Sequence, residues 1–234
     1  MPENRFFTEA KLEKAEQIEL TSEEFRHLQV MRRGKNDEIE LVDGKGCLAK
    51  GTIAELSKHA ATIQINEVYK EPLRSKRIIL IQALVRQSSL DYIIEKGTEL
   101  GASEFWLFPA VFSEKKELSS GQKQRLKNLT ISALKQCGTL YLPAIYEKEA
   151  LQKWAPFSGQ KFFGDVRFSA PSFSKSTIDP KEEIYFFIGP EKGFADPELK
   201  LFETTLKAHG VKLHDNILRV DTAALAAIYL SYLL

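Results

Sequence analysis

Ile184–Leu234 reads IYFFIGPEKGFADPELKLFETTLKAHGVKLHDNILRVDTAALAAIYLSYLL. Its first five residues, Ile184–Ile188, form an unbroken apolar run. A run this short and this apolar is the pattern of a strand covered on both faces of a sheet. It stops at Gly189-Pro190-Glu191-Lys192-Gly193-Phe194. Pro190 stiffens the turn, and the two glycines permit positive φ or a close approach of backbone to a ligand. Asp196 as N-cap and Pro197 at the first helical position then predict a helix. A second loop, His214–Val220, leads through Asp221-Thr222 into an apolar helix, Ala223–Leu234. There Leu225, Ile228, Tyr229, Tyr232 and Leu233 leave no solvated face, so the helix belongs in a core or between subunits. Two such loops at one end of a sheet are where an open α/β fold binds a ligand.

Upstream, the periodicity divides the chain near Glu71-Pro72-Leu73. Before it, residues 1–71 read as a small β-barrel domain. Asp37–Asp43 alternates apolar and polar, Gly44-Lys45-Gly46 turns, and Cys47–Glu55 and Thr62–Tyr69 follow as partner strands. Ser22–Met31 is the one helix there, with Ser22 as N-cap and Glu23 and Glu24 in the first turn. After Pro72 the pattern becomes α/β. Arg77–Leu84 is a buried strand, and Ser88–Leu100 is an amphipathic helix with Leu90, Ile93, Ile94, Gly97 and Leu100 on one face and Gly101 as its cap. Glu104–Phe108, Pro143–Tyr146 and Lys161–Gly164 are further strands. Gly121–Gln136 is a second helix with Leu126, Leu129, Ala133 and Leu134 inward. Strands alternating with helices predict a parallel sheet over residues 72–234. Ala170–Pro180, rich in Ser and Pro, reads as an exposed loop.

The composition narrows the function classes. With 234 residues, 43% of them hydrophobic, there is apolar material for one large domain or two smaller ones. No segment approaches ~20 apolar residues and the N-terminus carries no signal pattern, so a cytoplasmic protein is expected. Cys47 and Cys137 show no CxxC spacing and read as reduced thiols. The four histidines show no ligand spacing, so no metal is expected. The net charge of +1 neither requires nor forbids nucleic acid, because clustering matters more than the total.

The Gly189 loop is not a P-loop, lacking Gly-Lys-Ser/Thr, nor a dinucleotide fingerprint, lacking GxGxxG. By itself a Gly-Pro loop is structural more often than functional. The second loop changes that balance, because Asn216-Ile217-Leu218-Arg219-Val220-Asp221-Thr222-Ala223 sets an arginine among apolar residues just before a helix. A plain salt bridge from Arg219 to Asp221 or Glu191 is the alternative.

Together, IGPEKGF and HDNILRVDTAALA resemble the IGPEGGF…ILRTETA hallmark of the SPOUT-class ribosomal RNA small subunit methyltransferase E family. Arg5-Phe6-Phe7, His27–Arg32, Ile94–Gly101, and Gln136 with Pro143 stand in that family's order, so the resemblance spans nearly the whole chain. It implies a PUA-like β-barrel for RNA, a C-terminal α/β fold with a trefoil knot, S-adenosyl-L-methionine as methyl donor, and a homodimer that methylates uridine N3 in 16S rRNA of the small ribosomal subunit. By position it assigns Ile188, Gly189, Pro190, Glu191 and Gly193 to one wall of the cofactor pocket. Leu213, Ile217, Leu218, Thr222 and Ala223 form another, and Gly164 begins a third loop. The protein's task would be to aim the methyl group, since the cofactor carries the reactivity. Uracil N3 must lose its proton. Arg219 is the cation to stabilise the anion or grip a phosphate, and Glu191 or Asp221 is the acceptor; either carboxylate reads equally as a loop cap.

The chain departs from the family where positive charge is concerned. Thr139 replaces an arginine, the run Val85-Arg86-Gln87-Ser88 follows the strand after which a lysine is usual, and Lys192 replaces a glycine beside the cofactor loop. Asp221 is one methylene shorter than the usual glutamate. Residues 1–70 hold 11 Lys/Arg against 13 Asp/Glu, so the first domain is not basic overall. Its RNA contacts would be Arg5 and the cluster Arg26, His27, Arg32, Arg33. Arg86 would serve the second domain, in a stretch with Arg74, Lys76 and Arg77. Each cluster reads equally as an ordinary solvated face. A different RNA target, or a non-catalytic RNA-binding dimer of the same fold, is the competing expectation.

Overall fold

The computed structural model describes residues 4–73, 76–174, 178–179 and 182–233. Arg74, Leu234 and residues 175–177 and 180 of the Ser/Pro-rich loop lie outside them. The chain divides into two compact units. One is Met1–Leu73 with Ile131–Leu142, and the other is Arg74–Thr130 with Pro143–Leu234. A division into 1–71 and 72–234 does not include the returning segment 131–142.

In the first unit, β1 (Arg5–Phe7), β2 (Gln17–Thr21), β3 (Glu38–Val42), β4 (Cys47–Leu56) and β5 (Ala60–Lys70) form one curled sheet in the order β1-β3-β4-β5-β2. Only β1 and β3 run parallel. Register shifts in the β4–β5 ladder bend the two longest strands. The inward positions, Leu20, Ile39, Leu41, Ala49, Ile53 and Ile63, are buried with Phe25 and Leu28 of α1 (Ser22–Val30). Thr21, not Ser22, precedes the helix, and neither side chain caps it. Ser22 is already inside, at φ +51°. The returning segment is held by Leu134 and Leu140 against Val42, and by the Tyr141 hydroxyl donating to the Glu71 carbonyl at 2.7 Å.

The second unit is a six-stranded, wholly parallel sheet: β6 (Ile78–Ala83), β7 (Glu104–Phe108), β8 (Ala144–Glu147), β9 (Gln160–Gly164), β10 (Ile184–Ile188) and β11 (His209–Val211). The order is β11-β9-β10-β6-β7-β8. β6 and β10 are buried at every position, as the continuous apolar runs require. One face carries α2 (Gln87–Glu99) and α5 (Val220–Leu233), packing Leu90, Ile93, Ile94, Ala224, Ala227 and Ile228 on Leu80, Phe186 and Ile188. The other face is aromatic, with Phe163, Phe187 and Phe202 beside Trp106 and Trp154. α4 (Asp196–Leu201) and the first part of α3 (Ser120–Cys137), whose residues from Ile131 on belong to the first unit, are the other α-helices among the described residues.

Three expectations need correction. Ala195, not Asp196, precedes α4. There the fully buried Glu198 accepts the Ala195 N–H at 3.0 Å and the Val111 N–H at 3.0 Å, so a carboxylate three residues on takes over the capping. The last helix starts at Val220 rather than Ala223. It does have a solvated side, because Tyr229, Tyr232 and Leu233 are about half exposed in the single chain. In the Ser/Pro-rich loop, Phe173 is buried and packs edge-on against Phe162 and Phe186. That loop is pinned because the Phe173 N–H donates to the Lys212 carbonyl at 2.9 Å.

Candidate functional site

The register of the parallel sheet places the ends of β11, β9 and β10 side by side, with β6 next to β10. Val211 pairs with Gly164, Phe163 with Phe187, and Ile188 with Gln82. The loops that leave them, from Asp165, Gly189 and Lys212, enclose one cleft of about 690 Å³. A volume of that size suits a cofactor or small ligand. The cleft lies at the carboxyl ends of the strands, where an open parallel sheet leaves backbone groups free.

Each wall is built locally. In the middle wall, the Gly193 N–H donates to the Pro190 carbonyl at 2.9 Å, closing a tight turn through Glu191 and Lys192. Gly193 has φ +76°, and space is open where a Cβ would stand. The wall therefore presents backbone rather than side chain. Beneath it, Gln82 is fully buried on β6. Its amide N–H group donates to the Ala83 carbonyl at 2.9 Å and reaches the Ile188 and Gly189 carbonyls at 3.5 Å, tying two strand ends together. The Gln82 Oε1 has no partner among the described residues.

Glu191 faces Arg86. It accepts the Arg86 backbone N–H at 3.2 Å, and the guanidinium lies 3.4 Å away. In the next wall Arg219 is the last residue before α5, and its carbonyl accepts the Ala223 N–H at 2.8 Å. Its side chain is exposed, and no carboxylate among the described residues pairs with it. The expected alternative of a salt bridge is thus filled differently: Glu191 takes Arg86, and the Asp221 Oδ1 accepts the Thr222 N–H at 2.7 Å.

Ten of the eleven sequence-assigned cofactor positions line this cleft: Gly164, Ile188, Gly189, Pro190, Glu191, Gly193, Leu213, Ile217, Leu218 and Ala223. Thr222 does not. Arg86, Arg219 and Asp221 line it as well. Sequence reading named Gly164 at the start of the loop after β9 but not the residues that follow it. There the buried Asp165 and the exposed Glu203 hold Arg167, with Asp165 at 2.7 Å and Glu203 at 2.8 Å. The hydrogen bonds that the Arg167 guanidinium donates to Asp165, then to Glu203, hold its pKa above the usual range. The one available signal was Gly164-Asp165 directly after a strand. Glu203, 36 residues beyond Arg167, is too distant in the chain to be read from it.

In the first unit the proposed RNA contacts separate. Arg5 is not a surface cation. It is buried on β1, with Nε at 3.0 Å and a terminal nitrogen at 2.8 Å from the Glu40 Oε2. Arg33 donates to the Asn4 side chain, and its Nε is buried without a partner among the described residues. His27 is half-buried with its ring 5.0 Å from Phe6, and its Nδ1 faces the Lys135 ammonium at 3.5 Å. Burial, then the Lys135 charge, lowers its pKa against the opposing pull of Glu24. Near neutrality it is an uncharged ring. Arg26 and Arg32 are exposed.

Among the described residues no cluster of His, Cys, Asp and Glu is placed to hold a metal, and no helix is long and apolar enough to cross a membrane.

Comparison with known proteins gives one consistent picture. The model of the RNA methyltransferase domain family matches residues 72–231, and that of the RNA methyltransferase PUA domain matches residues 20–66. The Ribosomal RNA small subunit methyltransferase E of Rickettsia conorii is 26% identical over 239 residues, covering 97% of this chain and 94% of the relative. The Bacillus subtilis protein of that name is 26% identical, covering 94% and 91%. The crystal structure of a Ribosomal RNA small subunit methyltransferase E from Neisseria gonorrhoeae bound to S-adenosyl methionine matches with a TM-score of 0.83. It is 28% identical, over 96% of this chain and 94% of that one.

Proposed function

We propose a function from one premise: the chain belongs to the RNA methyltransferase domain family, whose model spans residues 72–231. It methylates N3 of a uridine in 16S rRNA of the small ribosomal subunit, with S-adenosyl-L-methionine as donor. The observation that carries this reading is the cleft, in which three strand-end loops bring together the residues of both motifs. The site fits the donor. Its middle wall is bare backbone at Gly189 and Gly193, and Ile188, Leu213, Ile217 and Leu218 supply apolar surface. The relative from N. gonorrhoeae, matched over nearly its whole length, is bound to S-adenosyl methionine.

The donor supplies an electrophilic methyl carbon on a sulfonium. The chain must exclude water, orient the uracil and take its N3 proton, so that an N–C bond forms as the S–C bond breaks. Arg219, with no carboxylate against it among the described residues, brings its charge to the cleft, suited to the developing N3 anion or to a flanking phosphate. Glu191 and Asp221, two of the carboxylates that line the cleft, are the acceptors assigned to that proton. The reading includes a homodimer, for which the half-exposed Tyr229, Tyr232 and Leu233 of α5 offer an apolar face, a trefoil knot in the second unit, and a cytoplasmic location.

The test is mass spectrometry of 16S rRNA from cells with and without the gene. Loss of a 3-methyluridine signal is expected; an unchanged signal rejects the substrate. Calorimetry with the donor tests the cofactor separately, and no binding at millimolar concentration rejects it.

A further inference from the structure

The loop after β9 is held far more firmly than its exposure requires. The Asp165 Oδ1 accepts the Arg167 N–H at 2.9 Å, and both its oxygens accept the Arg167 Nε, at 3.0 and 2.8 Å. Glu203 ties the other end of the guanidinium. Gly210 makes room for this clamp, since a Cβ there would stand 2.5 Å from the Asp165 Oδ2. The Ala170 N–H closes a turn on the Arg167 carbonyl at 3.1 Å. Lys212 Nζ donates to the Phe168 carbonyl at 2.7 Å and lies 5.0 Å from the centre of the Phe168 ring.

These ties fix a backbone whose two apolar side chains point outward. Val166 is 73% exposed and Phe168 is 98% exposed. A single exposed phenylalanine needs no explanation. This one is different on three counts. Its loop is anchored, so its ring is presented at little further entropic cost. Its flanking residues Val166 and Arg167, and the Lys212 beside the ring, all line the cleft. A cation beside an aromatic face is the pairing that single-stranded nucleic acid meets, with the base on the ring and the phosphate on the charge.

We propose that Phe168 is a stacking platform for an unpaired nucleobase of the RNA substrate at the rim of the cleft, with Lys212 on the adjoining phosphate. The proposal rests on the RNA methyltransferase reading, but not on the identity of the methylated atom. Its test is fluorescence anisotropy of the full chain with a labelled, mixed-sequence single-stranded RNA at fixed salt, beside calorimetry of the donor. Phe168→Ala is expected to weaken RNA binding about tenfold, as loss of one stacked base does, with donor affinity unchanged. Phe168→Tyr keeps wild-type binding, whereas Phe168→Leu, apolar without a π face, behaves as the alanine variant. Wild-type RNA affinity in the alanine or leucine variant overturns the proposal, as does a wild-type chain that binds no RNA. A lower molar mass of the alanine variant by light scattering also overturns it, because it makes the ring a subunit contact. Absence of 3-methyluridine loss in cells, with stacking intact, would instead overturn only the assigned substrate atom.

Discussion

Two sets of cations stand out equally in the sequence, and the fold treats them differently. In the first unit most of them are consumed by the fold itself. Arg5 is buried on Glu40, Arg33 is tied to Asn4, and His27 is neutral between Phe6 and Lys135. Only Arg26 and Arg32 of that set remain exposed. Around the cleft of the second unit the balance is different. Arg167 and Arg86 are paired, yet Arg219 faces the cleft with no carboxylate against it among the described residues. A cluster of positive residues in the chain therefore says little about positive charge offered to a ligand. What a buried arginine contributes is geometry, since its desolvation is repaid only by well-placed partners.

The comparison can be broken most severely at Arg219. Arg219→Ala is expected to lower kcat about 10²–10³-fold, the loss typical of removing one group that stabilises developing negative charge. The donor Kd, measured by calorimetry, stays the same; an equal loss in both would make Arg219 a cofactor or structural residue. Gly193→Val comes next. A β-branched residue at φ +76° is strained by roughly 1–3 kcal/mol and would intrude on the bare wall, so donor affinity falls about tenfold or more. Undiminished affinity would remove that loop from the site.

In the first unit the contrast lies within a pair. Arg5→Ala leaves Glu40 without its charged partner and is expected to cost about 2 kcal/mol of stability in denaturant melts. Arg26→Ala should change stability by less than about 0.5 kcal/mol. If Arg26 meets a phosphate, that variant instead lowers the salt dependence of RNA binding by about one counterion. Equal stability of the two variants would erase the distinction between buried and offered charge.

The smallest effect is at His27. Its folded pKa is lowered while the unfolded ring titrates near ~6.5, so the unfolded chain takes up more protons between the two values. The stabilisation from a neutral His27 is present above that range and is lost as pH falls through the folded pKa. His27→Gln should flatten that part of a stability profile measured from pH 8 to pH 5. An unchanged profile would mean that Glu24 and Lys135 do not hold the ring as described.

Much of the second unit was legible because its signals are local. Ile184–Ile188 and Glu104–Phe108 are strands over those very residues, and α2 and α3 lie within a residue of their expected ends. The three strands that escaped notice, Arg5–Phe7, Gln17–Thr21 and His209–Val211, are short, and each sits at a sheet edge where pairing with a distant strand decides its conformation. The shifted helix start at Asp196 has a related cause, because in α4 the capping is done by a side chain further along. In the cleft, the two motif loops announced themselves by glycine, proline and an arginine among apolar residues. The Asp165–Arg167–Glu203 clamp did not, because its members share neither spacing nor motif. The burial of Arg5 was equally invisible, since nothing in RFF distinguishes a strand-end cation from a surface one.

The aromatic layer beneath the cleft has a spectroscopic consequence. The chain's two tryptophans, Trp106 and Trp154, are 5.9 Å apart in that one layer, against Tyr185 and Phe187, and both belong to the second unit. Their emission is therefore a built-in reporter for the sheet that carries the cleft, while the first unit, with tyrosine alone, is dark at tryptophan wavelengths. A thermal melt read by tryptophan emission and again by far-ultraviolet circular dichroism would resolve the loss of the second unit from the loss of both, with no label added to the protein.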